Sequence, residues 1–176
     1  MGAATTLVLA GTYPDVPRAI LLEDPPAWWV AGPGETGVDE QRQARWRAWI
    51  SGLKTKTREE LIAKQRAETP GWSEAEIGPW ADAKLRLSPN VLNRQDAGAA
   101  DWPSLLGHIT CPVLLIAADP ARGAIVSDES AAALQASVPQ ARVAHVSEAG
   151  HSIRRDQFER YMEVVRGFLA ETTANV

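Results

Sequence analysis

The chain has 176 residues, with 22 acidic against 18 basic side chains for a net charge of −4, and 45% of it is hydrophobic. This suits one globular domain, or one domain carrying an insertion, and the mild acidity argues against nucleic acid or an anionic membrane surface as a partner. No apolar run approaches the roughly 18 residues of a membrane helix. No basic segment precedes an apolar stretch in the manner of a secretory signal. The single cysteine, Cys111, cannot form an internal disulfide. Together with three scattered histidines (His108, His145 and His151) it makes no metal framework. The expectation is a cytoplasmic chain with no cofactor.

In chain order, Ala3 to Ala10 is small and apolar and reads as a helix, with Gly11 as its stop and Pro14 beyond. Arg18 to Glu23 has a continuous apolar centre, which suits a strand covered on both faces in a parallel sheet. Asp24-Pro25-Pro26 ends it, since proline cannot donate to a ladder.

Residues 28–102 are polar and helical in period, and they hold all seven tryptophans: Trp28, Trp29, Trp46, Trp49, Trp72, Trp80 and Trp102. Trp46, Trp49, Ile50 and Leu53 share one helical face. Thr57 with Glu60 and Ser73 with Glu76 fit capping boxes ahead of apolar runs. Pro79 and Ser88-Pro89 are expected to break the pattern. The section reads as an all-helical insertion between residues 1–27 and 103–176.

The remainder alternates strand and helix. Pro112 to Ala118 is the strongest buried strand. Asp128 to Val138 is a short helix with Ala131, Leu134 and Val138 inward, and Ala141 to Ser147 is another strand. Glu148-Ala-Gly-His151 comes after it, and a last helix runs from about Ile153 to Ala170. Its stripe is Phe158, Tyr161, Met162, Val165, Phe168 and Leu169. Such spacing implies parallel strands joined by helical crossovers.

Ligands of open parallel sheets bind beyond the carboxyl ends of the strands. Glu23-Asp24, Asp119 and His151 occupy those ends. A carboxylate after one strand and a histidine after another are what a base and its orienting acid require.

The run Cys-Pro-Val-Leu-Leu-Ile-Ala-Ala-Asp119, then Glu-Ala-Gly-His151, then Phe168-Leu169, resembles the C-terminal half of the α/β-hydrolase fold. In that family the triad runs serine, acid, histidine along the chain. The start, Met1-Gly2-Ala3-Ala4-Thr5, then Tyr13-Pro14 and Leu22-Glu23-Asp24-Pro25-Pro26, resembles the family's stretch just after the nucleophile elbow, Gly-x-Ser-x-Gly. The resemblance implies a fold of three parallel strands with flanking helices, with residues 28–102 in the place of a helical lid. It also implies that 18–23, 113–118 and 141–147 are neighbours in that order, with the outer edge of 18–23 unpaired. It makes His151 the base and Asp119 the acid, with Asp24 or its neighbour Glu23 as the alternative. Asp128 reads better as a helix N-terminal residue favouring the dipole. Met1 would supply an oxyanion-hole N–H, and Gly2 would be the last elbow glycine.

No Gly-x-Ser-x-Gly occurs in the chain, so the expectation is a truncated serine hydrolase that lacks its nucleophile and is inactive alone. Methionine rather than tryptophan after the nucleophile favours serine over aspartate chemistry. The implied substrate is a small organic molecule with an ester-like or C–C bond, and the implied partner is the missing N-terminal half. The alternative is a stand-alone module, without catalysis, that binds a small ligand or a partner. A Rossmann cofactor module fails for want of Gly-x-Gly-x-x-Gly after a strand.

Of the remaining residues, Trp28 and Trp29, nearest a strand end, are the candidates for a substrate pocket, and the other tryptophans read as packing. Arg154 and Arg155 read as a solvated first helical turn. His108 and His145 show no partner pattern, and Cys111 reads as a small buried hydrophobe.

Overall fold

The structure, a computed structural model, describes residues 2–30, 40–92 and 100–173. The chain divides into two compact units, one formed by Met1–Glu35 with Ala97–Val176 and the other by Thr36–Asp96.

The first unit is built on three parallel strands in the order β1 (Ile20–Glu23), β2 (Val113–Ala118) and β3 (Ala141–Val146). The register pairs Ile20 with Val113 and Glu23 with Ile116, and it pairs Val113 with Ala141 and Ala118 with Val146. All six residues of β2 are buried, as a strand with neighbours on both sides and helices on both faces must be. Its alternate side chains build two cores. Val113, Leu115 and Ala117 pack with Leu7 of α1 (Gly2–Thr12), Leu106 of α5 (Trp102–Gly107) and Leu134 of α6 (Asp128–Ser137). Leu114, Ile116 and Ala118 pack with Ile153 and Phe168 from the C-terminal helices, α7 (Ile153–Asp156) and α8 (Phe158–Thr173).

Several local expectations are corrected. Gly11 does not stop α1, which continues to Thr12. It marks a close helix crossing, because a Cβ there would stand 2.4 Å from the carbonyl oxygen of Leu105. The first strand begins at Ile20, whose N–H donates to the carbonyl of Pro112 at 3.0 Å. The last helix is two helices, separated at Gln157, where φ −138° and ψ 62° leave the helical region. Phe158 and Leu169 lie exposed beside the buried part of their stripe. At the start of α6, Ser127 and Ser130 form a reciprocal capping box, with Asp128 in the first turn.

The second unit holds α2 (Glu40–Lys54), α3 (Arg58–Glu68) and α4 (Glu74–Arg86). Thr57 and Glu60 form the expected box at the start of α3, and Ser73 accepts from the N–H of Ala75 at the start of α4. Pro79 lies inside α4 and does not end it. Its missing N–H costs one backbone bond, while Ile77 and Ala81 stay buried on the inner face. Leu53, Leu61 and Ala81 form the core of this unit. On the face shared by Trp46, Trp49, Ile50 and Leu53, the tryptophans stand partly exposed, edge to face at 5.3 Å, while Ile50 and Leu53 are buried. The ammonium of Lys84 lies over the rings of Trp49 and Trp80.

Candidate active site

The carboxyl ends of the three strands converge on a histidine and a carboxylate. Asp24 follows β1 and is completely buried. Its N–H makes the last ladder bond, to the carbonyl of Ile116 at 2.9 Å. Its backbone then turns into the left-handed region, at φ 38°. Such a conformation costs a non-glycine residue on the order of 1 kcal/mol or more. Three donors meet the carboxylate that it places. Oδ1 accepts from the N–H groups of Ile125 (3.0 Å) and Val126 (2.9 Å). Oδ2 accepts from Ile125 at 2.8 Å and lies 2.9 Å from Nδ1 of His151.

An ionised carboxylate only accepts hydrogen bonds, so in this pair Nδ1 of His151 carries the hydrogen and Nε2 keeps its lone pair. The imidazole is half exposed, while the carboxylate is shut from solvent. That is the layout of a base that must reach a reacting group and an acid that must only orient it.

Asp119 does not meet His151. Its Oδ1 lies 3.1 Å from Nε2 of His145, its Oδ2 accepts from the N–H of Glu148 at 2.7 Å, and Arg122 stands at 4.0 Å. The strand order supplies the reason. Because β2 lies between β1 and β3, the segment after β3 must cross the end of β2 before it reaches Asp24. That is two strand spacings, about 10 Å. Asp119 lies under the start of this crossing and meets His145 and Glu148; Asp24 lies at its end and meets His151.

The crossing is close-packed. The N–H of Asp119 donates to the carbonyl of Ala149 at 3.0 Å. Gly150 passes so near the turn after β2 that a Cβ would stand 2.4 Å from the carbonyl oxygen of Arg122. The N–H of Gly150 donates to Asp156 at 2.8 Å, and Glu148 is in the left-handed region at φ 62°.

Glu23, next to Asp24, is held by Arg154, which donates its N–H and its guanidinium to the carboxylate at 3.1 and 2.9 Å. Tyr161 is shifted upward by burial, and the Glu23 carboxylate adds to the shift while Arg154 opposes it. Asp128 opens α6. Trp28 and Trp29 are half-buried against the core of the first unit. Trp28 stacks on Trp102 at 5.6 Å, and the indole N–H of Trp29 donates to the carbonyl of Ser130 at 2.8 Å. Gly2 is the first residue of α1. Met1, expected in the oxyanion hole, lies outside the described residues. Sequence reasoning had no signal for the N–H pair of Ile125 and Val126, which acts through its backbone, nor for the partnership of His145 with Asp119.

Solved structures that resemble this chain are α/β-hydrolase fold enzymes. An N-formylmaleamic acid deformylase from Pseudomonas putida matches with a TM-score of 0.65 at 22% identity, over 93% of this chain and 62% of its own. An esterase from Thermogutta terrifontis matches with a TM-score of 0.59 at 20% identity, over 97% of this chain and 62% of its own. An E-2-(acetamidomethylene)succinate hydrolase matches with a TM-score of 0.59 at 16% identity, over 96% of this chain and 63% of its own. No family model and no curated protein matches the sequence. The chain has the α/β-hydrolase fold, and it spans about 62–63% of the length of these structures.

Proposed function

We propose that this chain carries the base and the acid of a serine hydrolase triad: His151 as base and Asp24, in place of Asp119, as the acid. The observation that carries the reading is the 2.9 Å contact between Nδ1 of His151 and the buried, doubly N–H-bonded carboxylate of Asp24. With Nδ1–H committed to Asp24, Nε2 takes the proton of the nucleophile as it attacks. The imidazolium that forms is stabilised by the carboxylate, and it then protonates the leaving group.

The chain contains no Gly-x-Ser-x-Gly. In this reading the serine and the strand before it lie beyond these residues, and the N–H of Met1 serves the oxyanion hole. Trp28 and Trp29, which follow the end of β1, are the candidates for the substrate pocket. The substrate is a small molecule with an ester-like or C–C bond, cleaved through an acyl-enzyme. Neighbours named as a deformylase, a hydrolase and an esterase support hydrolysis as the reaction class.

The test compares p-nitrophenyl ester turnover by the 176-residue chain with turnover by the same chain extended by its in-frame upstream coding sequence. The expected result is activity only in the extended protein, abolished by His151→Ala. Robust turnover by the chain alone, or a stop codon directly upstream, overturns it.

A further inference from the structure

We propose that Asp119 is a positioning residue for the Asp24–His151 couple: it fastens the turn that holds Asp24 to the turn that carries His151. The inference rests on the assignment of Asp24 and His151 as acid and base.

Two segments determine where the couple sits. Residues 119–126, after β2, present the N–H groups of Ile125 and Val126 to Asp24. Residues 147–151, after β3, carry His151. Asp119 is bonded to both. Toward its own turn, its carbonyl accepts from the N–H groups of Arg122 (2.9 Å) and Ala124 (3.3 Å), so the turn is wound around its backbone. Toward the other, its N–H donates to Ala149 and its Oδ2 accepts from Glu148 at 2.7 Å. His145 holds the remaining oxygen at 3.1 Å and keeps the carboxylate aimed at the crossing chain.

Glu148 is where this fastening carries strain. It is one of two non-glycine residues with positive φ among those described, and the other is Asp24. The bond from its N–H to Asp119 offsets the cost of that backbone. Without the Asp119 carboxylate, Glu148 relaxes toward an ordinary conformation and the direction of the chain three residues later changes. His151 then leaves Asp24, although neither residue has been altered.

The readout is the tautomer of His151 in the full 176-residue chain. It is followed by 15N NMR of the three imidazoles at a pH where they are neutral, with far-UV circular dichroism for the fold. Asp24→Asn is the reference. It should lower the ratio of Nδ1–H to Nε2–H at His151 by about tenfold, the scale of a hydrogen bond to a charged acceptor. Asp119→Ala should lower it in the same direction by about threefold or more. Asp119→Asn keeps an oxygen for the Glu148 N–H and should return the ratio close to that of the parent.

A residue that only stabilises the fold would lower the melting temperature and leave the tautomer of folded molecules unchanged, which overturns the proposal. If Asp119→Ala does not fold, His145→Ala decides in its place, by a smaller change in the same direction or by none. An unchanged ratio in Asp24→Asn overturns the acid assignment itself.

Discussion

Asp24 and His151 are 127 residues apart in sequence, and their side chains meet at 2.9 Å across the full width of a three-stranded sheet. Asp24→Asn would leave an amide where two backbone N–H groups and an imidazole converge. Its oxygen would take the backbone donors and its NH2 would face Nδ1, forcing the hydrogen onto Nε2. On the proposed assignment, the chain extended by its upstream coding sequence should lose about 10³- to 10⁴-fold in kcat, as for a triad base held in the wrong tautomer. Asp119→Asn should cost far less. Single-turnover kinetics on both variants checks the order, and equal losses would contradict it.

Two glycines mark close approaches, and their substitution should separate them from the rest. Gly11→Ala drives a Cβ into the carbonyl of Leu105, and Gly150→Ala drives one into that of Arg122, each at 2.4 Å. Since both neighbours are backbone, each variant should lose about 1–3 kcal/mol. Gly52, within α2, has open space around it. Gly52→Ala should gain about 0.5–1 kcal/mol through helix propensity. Urea titrations measure all three on one scale.

Stability should decline at alkaline pH. Burial pushes the Cys111 thiol up, and burial aided by Glu23 pushes the Tyr161 phenol up. In each case the unfolded chain ionises before the folded one. The contribution is therefore intact below the ordinary thiol range, about 8.5, and is lost as pH rises through the raised folded values. Melting temperatures measured from about pH 7 to 10.5 should fall along two limbs, and Cys111→Ala should remove the first. For the same reason the thiol should resist alkylation in the native chain at about pH 8 and react in urea.

Among the described strands, β1 pairs only with β2. Its other edge offers backbone donors and acceptors on an apolar strand, and Val8 and Leu9 of α1 stand exposed nearby in sequence. Such an edge is a template for pairing with other chains. The isolated chain should therefore elute from size exclusion as oligomers. A monodisperse monomer with a sharp melt would show that the edge is protected.

What the sequence determined by itself is the part encoded in local pattern. The apolar runs before Asp24 and Asp119 suit strands, and both form strands, fully buried only in β2. The capping box at Thr57 arises from donors and acceptors three residues apart, and the Gly-His context made His151 a candidate whose neighbour Asp24 the structure then supplied. What it could not determine depends on which strands lie side by side. Asp24 and Asp119 both follow apolar strands, and nothing local distinguishes the acid that orients a histidine from one that bonds a neighbouring loop. The choice was made by the order β1-β2-β3, which sends the segment after β3 across Asp119 before it reaches Asp24. Gly11 is the same lesson at smaller scale. Its sequence context is that of a helix stop, but its role is set by the backbone of Leu105, more than ninety residues away and brought into contact only by the packing of α1 on α5.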